Sequence, residues 1–315
     1  TGRSGSGKTA LIQQEIVAKV EEQPIGSPIF LIVPDQMSFS AERDMTHEYS
    51  IKGLIRAQVT TFKRLAWRVL QETGGISRKE VNGFGYRMLI RKLLDQHKEE
   101  FALFKKAADK RGFTAEMESL LKEFSRYSLD STALTNLMTS FADVDAPKTL
   151  QDKMHDLHLL VGAIEESLGT TYVDSEGYYP LLASQLGKSL AIQQADIYID
   201  GFTAFTTREL EVVEELLKTA RRVTIVLPME SVADAEDEHA LFYQSSRTCA
   251  KLMEIAQENG VELEPTIHQR EQHRFQTADL RHLESQFDAF PALQQESDGS
   301  AEIIEASNRR AEVHA

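Results

Sequence analysis

The chain begins TGRSGSGKT, in which Gly2, Gly7, Lys8 and Thr9 complete the spacing G-x-x-x-x-G-K-T. Glycines so placed let backbone N–H groups turn in on an anion, while the lysine and hydroxyl that follow reach the outer phosphates and a Mg²⁺ ion. Gly2, Arg3, Ser4, Gly5, Ser6, Gly7, Lys8 and Thr9 are therefore the expected nucleotide-binding residues, with ATP as the expected ligand. Such a loop needs a carboxylate at the end of a neighbouring strand. Asp200, directly after the apolar run Ile197-Tyr198-Ile199, is the best-placed acid, and Thr9 and Asp200 are the expected Mg²⁺ residues. Asp35 follows Pro34 and is less well aimed. Hydrolysing relatives of such sites place a second group to position the attacking water, and Gly201 stands where an adjacent acid would be. The expectation is binding with little or no hydrolysis, and no residue is assigned as catalytic.

A second chemistry lies in TTFKRLAWRVL, which combines Phe62 and Trp67 with Lys63, Arg64 and Arg68. Aromatic rings and arginines at the mouth of a sheet stack and clamp single-stranded bases. Gln36, Ser38, Phe62, Phe202 and Phe205 all follow candidate strands at their C-terminal ends, where ligands collect in open α/β sheets. With Arg64 and Trp67 they form the candidate DNA-binding set. A plainer reading competes at Phe62, because Phe62, Leu65, Ala66, Val69 and Leu70 fall on one helical stripe and describe a core face equally well. The net charge of −14 excludes a polyanion binder that works by overall charge, so nucleic-acid contact must be local. Cys249 is the single cysteine, which excludes a disulfide framework, a Cys-ligated zinc site and a cysteine-held iron–sulfur cluster within these residues. His268, His273 and His282 lack the i, i+4 spacing of a metal pair and read as solvated surface.

The elements that position these groups alternate. Ala10 to Val20 has helical spacing and suits the helix behind a phosphate loop, closed by Pro24 and Gly26. Ile29 to Val33, stopped by Pro34, reads as a buried parallel strand, and Ile55 to Thr60 as another. From about residue 80 to 190, GYRMLIRKLLDQHKEEF, AEMESLLKEFSRYSL and TLQDKMHDLHLLVGAIEESL read as amphipathic helices with no strand between them. Ile197 to Ile199 and Val223 to Leu227 then flank the helix ELEVVEELLKTA, opened by the capping box Thr206-Thr207-Arg208-Glu209. MESVADAEDEHA is an acidic loop, 294–302 a linker, and IIEASNRRAEVHA begins like a strand and a new helix. The expected fold is an α/β parallel sheet with a phosphate loop and a large helical insertion. Its parts are 1–79 and 191–292 for the sheet domain, 80–190 for the insertion and 293–315 for a linker and the start of a further strand and helix. The strand that should feed the loop is missing, so the chain reads as a piece of something longer. No apolar run of membrane-spanning length and no leader pattern are present, and the cytoplasm is the expected location.

In this order, GRSGSGKT, VPDQMSFSAE, TTFKRLAWRVLQETGG, IDGFTAFTTRE and ASNRRAE resemble the N-terminal part of the AddB family, the second subunit of the bacterial AddAB helicase–nuclease. The resemblance runs across the whole chain. It implies a superfamily 1 helicase-like motor region, with a RecA-like sheet (P-loop) holding the nucleotide and the start of a truncated second motor domain at 293–315, in double-strand break repair by homologous recombination, paired with an AddA-type subunit and working on single- and double-stranded DNA. It also implies a degenerate motor whose groove recognises the Chi sequence through Gln36, Ser38, Phe62, Arg64, Trp67 and Phe202 or Phe205. An iron–sulfur cluster and a nuclease domain are implied only for the longer subunit. Active superfamily 1 motors have Glu where this chain has Gly201. Two alternatives remain at this point: a self-sufficient ATP-hydrolysing DNA translocase, and a phosphate-loop kinase of small molecules.

Overall fold

The computed structural model describes residues 1–47, 55–74, 78–110, 112–141, 146–169, 171–174 and 176–314. In chain order its first elements are helix α1 (Lys8–Glu22), strand β1 (Ile29–Ile32), α2 (Ser38–His47), β2 (Ala57–Thr60) and α3 (Phe62–Thr73). Next come β3 (Lys79–Glu80), α4 (Gly83–Gln96), α5 (Phe113–Arg126), α6 (Ser131–Ser140), α7 (Lys148–Leu168) and β4 (Tyr172–Val173). The chain continues through α8 (Tyr178–Leu186), α9 (Leu190–Gln193), β5 (Asp196–Ile199), α10 (Thr207–Thr219), β6 (Arg222–Ile225), α11 (Tyr243–Glu258), α12 (Ala278–Gln286) and α13 (Arg309–His314).

A parallel four-stranded sheet runs β2-β1-β5-β6, with Ile29 opposite Ala57 on one side and Asp196 on the other. Alternation of side chains along buried strands sends them to two faces. Ile29, Leu31 and Tyr198 pack with Ile12, Ile16 and Val17 of α1 and with Met45. Phe30, Ile32, Ile197 and Ile199 pack against the stripe Phe62, Leu65, Ala66, Val69 and Leu70 of α3 and against α8 and α10. The result is a helix–sheet–helix sandwich in which every residue of β1 and β5 is buried. The βαβ unit through α10 forms as its sequence predicts: the Thr206 hydroxyl accepts from the Glu209 N–H at 3.2 Å and the Glu209 carboxylate accepts from the Thr206 N–H at 2.8 Å.

Helices α4 to α7 enclose a separate core, built on Ile90, Leu94, Leu121, Leu157 and Leu160. Asp156, fully buried, holds the turn before α5 by accepting three backbone N–H groups, from Ala102, Leu103 and Phe104, at 2.7–2.8 Å. This core ends near Leu168, whereas Tyr178, Leu182 and Leu186 of α8 join the sheet core, short of the boundary drawn at 190. Two expectations change. The helical region does carry strands, because β3 and β4 pair in parallel at its root; two-residue strands are too short to give a period in the sequence. Residues 303–306 form no strand, and only the helix after them, α13, is present.

Candidate functional site

The glycine loop is held by backbone on both flanks. Gly2 bridges in parallel to Pro228, just past β6, and to Gln269, with Met229 N–H donating to the Gly2 carbonyl at 3.2 Å and Gln269 N–H to that of Thr1 at 2.8 Å. Thr1 and Gly2 thus occupy a strand position beside β6, and the loop leaves from the C-terminal edge of the sheet. Gly5 and Gly7 have φ of 82° and 84°, the left-handed region that side chains disfavour. Gly7 leads into α1 with no side-chain cap, so the first N–H groups of that helix stay available at the loop.

Three side chains complete this end. The Lys8 ammonium folds back onto the Arg3 carbonyl at 2.6 Å; burial lowers its pKa from the ordinary value, with Asp200 opposing that shift and Arg274 adding to it. The Thr9 hydroxyl donates to Asp200 Oδ2 at 2.7 Å, and Asp200 Oδ1 accepts from the Gly201 N–H at 2.8 Å. A loop hydroxyl and a buried strand-end carboxylate in contact fit the donor set of a hydrated Mg²⁺ ion. Arg3 points elsewhere: it is tied to Glu284 at 2.7 Å and Glu230 at 2.9 Å and lies over the Phe242 ring.

Sequence reasoning missed the segment that crosses the loop. Gln272 Nε2 donates to the Ser4 carbonyl at 2.6 Å, and the N–H groups of His273 and Arg274 both donate to the Gly5 carbonyl, at 3.0 and 3.2 Å. Nothing in its residue types marks it, since the contact is made largely by backbone. Gly201 has φ 85°, and a Cβ there would sit 2.6 Å from the Met37 sulfur and 3.0 Å from Pro34 Cδ. Position 201 is glycine by conformation and by space, whatever chemistry an acid would have offered.

Beyond the ends of β1, β2 and β5 lies a cavity of about 530 Å³. Asp35 and Gln36 reach it from beyond β1, Phe62 and Lys63 from beyond β2, and Phe202 from beyond β5; Lys122 and Arg126 of α5 and Tyr178 and Tyr179 of α8 close it. Strand ends do converge, though not with the whole candidate set. Trp67, 46% exposed, lines a separate hollow with Tyr178 and Arg78. Arg64 is exposed and paired with Glu42 at 3.0 Å, and the buried Ser38 hydroxyl donates to the Asp35 carbonyl at 3.0 Å. Phe62 is 4% exposed, its centroid 5.6 Å from Phe202 and 6.5 Å from Phe205, which stack on one another at 5.1 Å. The stripe reading of Phe62 describes its place, and the half-buried Phe202 and Phe205 carry the ring faces nearer solvent. Lys122 and Arg126 went unseen because they come from the helical region; their i, i+4 spacing on α5 was the available signal.

Among the described residues no group of three or more His, Cys, Asp or Glu side chains is placed to hold a metal ion. His268 pairs with the Thr1 hydroxyl and His282 with the Leu293 carbonyl. Cys249 is buried, which raises its thiol pKa, and one thiol cannot hold a cluster. No described helix is long and apolar enough to cross a membrane.

A family model described as ADDB, N-terminal, matches residues 1–284. This chain belongs to that family. Similar proteins carrying the same region include the B subunit of the ATP-dependent helicase/deoxyribonuclease of Lysinibacillus sphaericus (strain C3-41), 57% identical over 315 residues. Those of Geobacillus kaustophilus (strain HTA426) and Bacillus subtilis (strain 168), under the same name, are 42% and 39% identical over 320 and 317 residues. In each case 99–100% of this chain is covered, but only 27% of the relative. The ADDB N-terminal region therefore spans about a quarter of the length of the curated relatives it matches, and it joins the glycine loop, Asp200 and the strand-end cavity in one sheet.

Proposed function

We propose that this chain is the helicase-like N-terminal region of one subunit of a DNA-processing helicase–nuclease, and that it binds ATP·Mg²⁺ with little or no hydrolysis and reads single-stranded DNA along the strand ends. The observation that carries it is the Thr9–Asp200 contact of 2.7 Å, which joins a glycine loop to a strand-end carboxylate across 191 positions of sequence. The parallel order β2-β1-β5-β6, with Gly2 next to the end of β6, supports a RecA-like reading of the sheet. In this reading the loop N–H groups and Lys8 hold the phosphates, and Thr9 and Asp200 hold the ion directly or through water. Bound Mg²⁺ would supply charge neutralisation. Gly201 offers no side chain to position water and no room for one, which favours this reading over a self-sufficient motor. No observation favours a small-molecule kinase.

Single-stranded DNA, with Chi as the sequence sought, is assigned to the cavity of Gln36, Phe62 and Phe202 and to the flanking Ser38, Arg64, Trp67 and Phe205. The partner is a second, AddA-type subunit in a cytoplasmic heterodimer acting in recombinational repair; that the relatives are named as one subunit of a larger enzyme supports a partner. An iron–sulfur cluster would belong to residues outside this chain. The test is the assembled complex with Lys8→Ala. The affinity of this region for nucleotide should fall about tenfold or more through loss of a charged contact, while the DNA-stimulated ATPase of the complex stays within about twofold. Loss of most of that ATPase, with partner folding and DNA binding intact, overturns the reading.

A further inference from the structure

The segment Gln272–Phe275 crosses the glycine loop, and its contacts explain why the loop is built of glycine. A Cβ on Gly5 would lie 2.6 Å from Gln272 Oε1 and 2.9 Å from Arg274 Cβ, and one on Gly7 would lie 3.1 Å from the His273 ring. The loop and the segment are in van der Waals contact along three consecutive residues. The loop and the segment also carry unsatisfied polar atoms. Ser6 Oγ in the loop, Gln272 Oε1 in the segment and Thr277 Oγ1 just after it are the buried side-chain atoms without a hydrogen-bond partner among the described residues. Native folds leave few such atoms, and the loop and the segment that crosses it each carry one.

The charges nearby are divided. Arg3 is occupied by Glu230 and Glu284, so its guanidinium is spent on structure. Arg274 is fixed differently: its backbone N–H is anchored to Gly5, while its exposed side chain makes no ion pair among the described residues. It stands near enough to Lys8 to act on it as a like charge. Asp200 and Glu284 act on Lys8 as opposite charges, whereas no acid pairs with Arg274 among the described residues; a cation left over beside Lys8 and uncapped N–H groups forms a site that a polyanion would complete.

We propose that Arg274 is a phosphate-contacting residue of this site, delivered in cis by the 272–275 strap, so that the terminal phosphates of a nucleoside triphosphate lie between Lys8 and Arg274. This rests on the nucleotide-binding reading above. No second motor domain is needed to supply this arginine. The strap would also report occupancy, since drawing Arg274 inward pulls on the Gly5 contact.

The test is equilibrium binding of MgATP, MgADP and adenosine to the full-length protein, as wild type and as Lys8→Ala, Arg274→Ala, Arg274→Lys and, as a control, the exposed neighbour Arg270→Ala. Arg274→Ala should weaken MgATP about tenfold, as expected for one charge-assisted contact, and leave both adenosine binding and the melting temperature unchanged. Arg274→Lys should recover part of the loss, and Arg270→Ala should bind as wild type. Binding of MgATP by the wild type, with Arg274→Ala within about twofold of it, overturns this proposal alone. Absence of MgATP binding by the wild type overturns the nucleotide-binding reading and this proposal together. Equal weakening by Arg270→Ala would reduce Arg274 to general charge and also overturn it.

Discussion

The glycine loop and the strand-end cavity both stand at the ends of strands of one sheet, and they are built in opposite ways. The loop is made of backbone: its neighbours are the Pro228 strand end, the Gln269 bridge and the strap, and its recognising groups are N–H vectors. The cavity is made of side chains drawn from the ends of three strands and from α5 and α8. A backbone site fails as a unit when one residue gains a Cβ, because its geometry is shared. A side-chain site loses affinity piece by piece, because each ring or charge acts locally.

The sharpest way to break that comparison is Gly5→Ala. With φ 82° and the strap 2.6–2.9 Å from the new Cβ, left-handed strain and overpacking together should cost about 2–4 kcal/mol. Nucleotide binding should vanish while single-stranded DNA binding persists; isothermal titration with each ligand reads both. If the two ligands weaken together, the sites are one mechanical unit. Gly201→Glu comes next, at the turn whose N–H meets Asp200 and whose Cβ would meet Pro34 of the cavity wall. Its Cβ clash with Met37 and Pro34 predicts a loss of about 2–3 kcal/mol in urea unfolding, and no gain of ATP turnover. An unchanged unfolding midpoint would show that the loop after β5 can relax and that space is not what fixes glycine there.

On the single-strand side, in the cavity and the hollow beside it, the effects should be smaller. Trp67→Ala should cost about 1–3 kcal/mol of single-strand affinity through one lost stacking surface, with nucleotide affinity untouched; filter binding over a range of salt measures it. Phe62 sits in the core, so its truncation should instead lower the melting temperature before it lowers affinity. The smallest effect concerns Glu176. Burial raises its carboxyl pKa above the ordinary 4.5, with Asp174 and Glu209 adding and Arg126, at 3.2 Å, opposing. A carboxyl raised in the fold takes up its proton first as pH falls, and the fold loses that stabilisation as pH rises through the raised value. Single-strand affinity should therefore improve about two- to fivefold as pH falls from neutral through that raised value, a surface-scale electrostatic effect, as Glu176 is neutralised and Arg126 released. Glu176→Gln should bind at neutral pH as the wild type does in acid. A flat pH profile in the wild type removes Glu176 from the cavity's working parts.

What could be read from the sequence follows the same division. Contiguous signals came through: the glycine loop, the stripe of α3, the capping box of α10 and the buried runs of β1 and β5 all form where their spacing places them. Asp200 was legible because an acid after an apolar run is local information. The strap was not, since a contact through the N–H groups of His273 and Arg274 leaves no trace in residue type. Lys122 and Arg126 were hidden for another reason: their helix belongs to a separate core, and only the fold returns its end to the sheet. Phe62 was legible twice over, as core and as stacking surface, and periodicity alone could not choose between them.

Four cations around the cavity and its rim are matched: Arg126 with Glu176, Lys122 with Glu118 at 2.7 Å, Lys63 with Glu80 at 2.8 Å, and Arg64 with Glu42. A phosphate that approaches any of them must compete with a carboxylate already in place, so little is gained from each backbone contact and little is lost when it is released. A strand drawn past such a surface would meet low friction, sliding from one guarded charge to the next without a deep well to stop it. If the cavity takes single-stranded DNA as proposed, only a stretch whose bases fill the aromatic hollows well enough would dwell, and dwell time rather than affinity would tell one sequence from another.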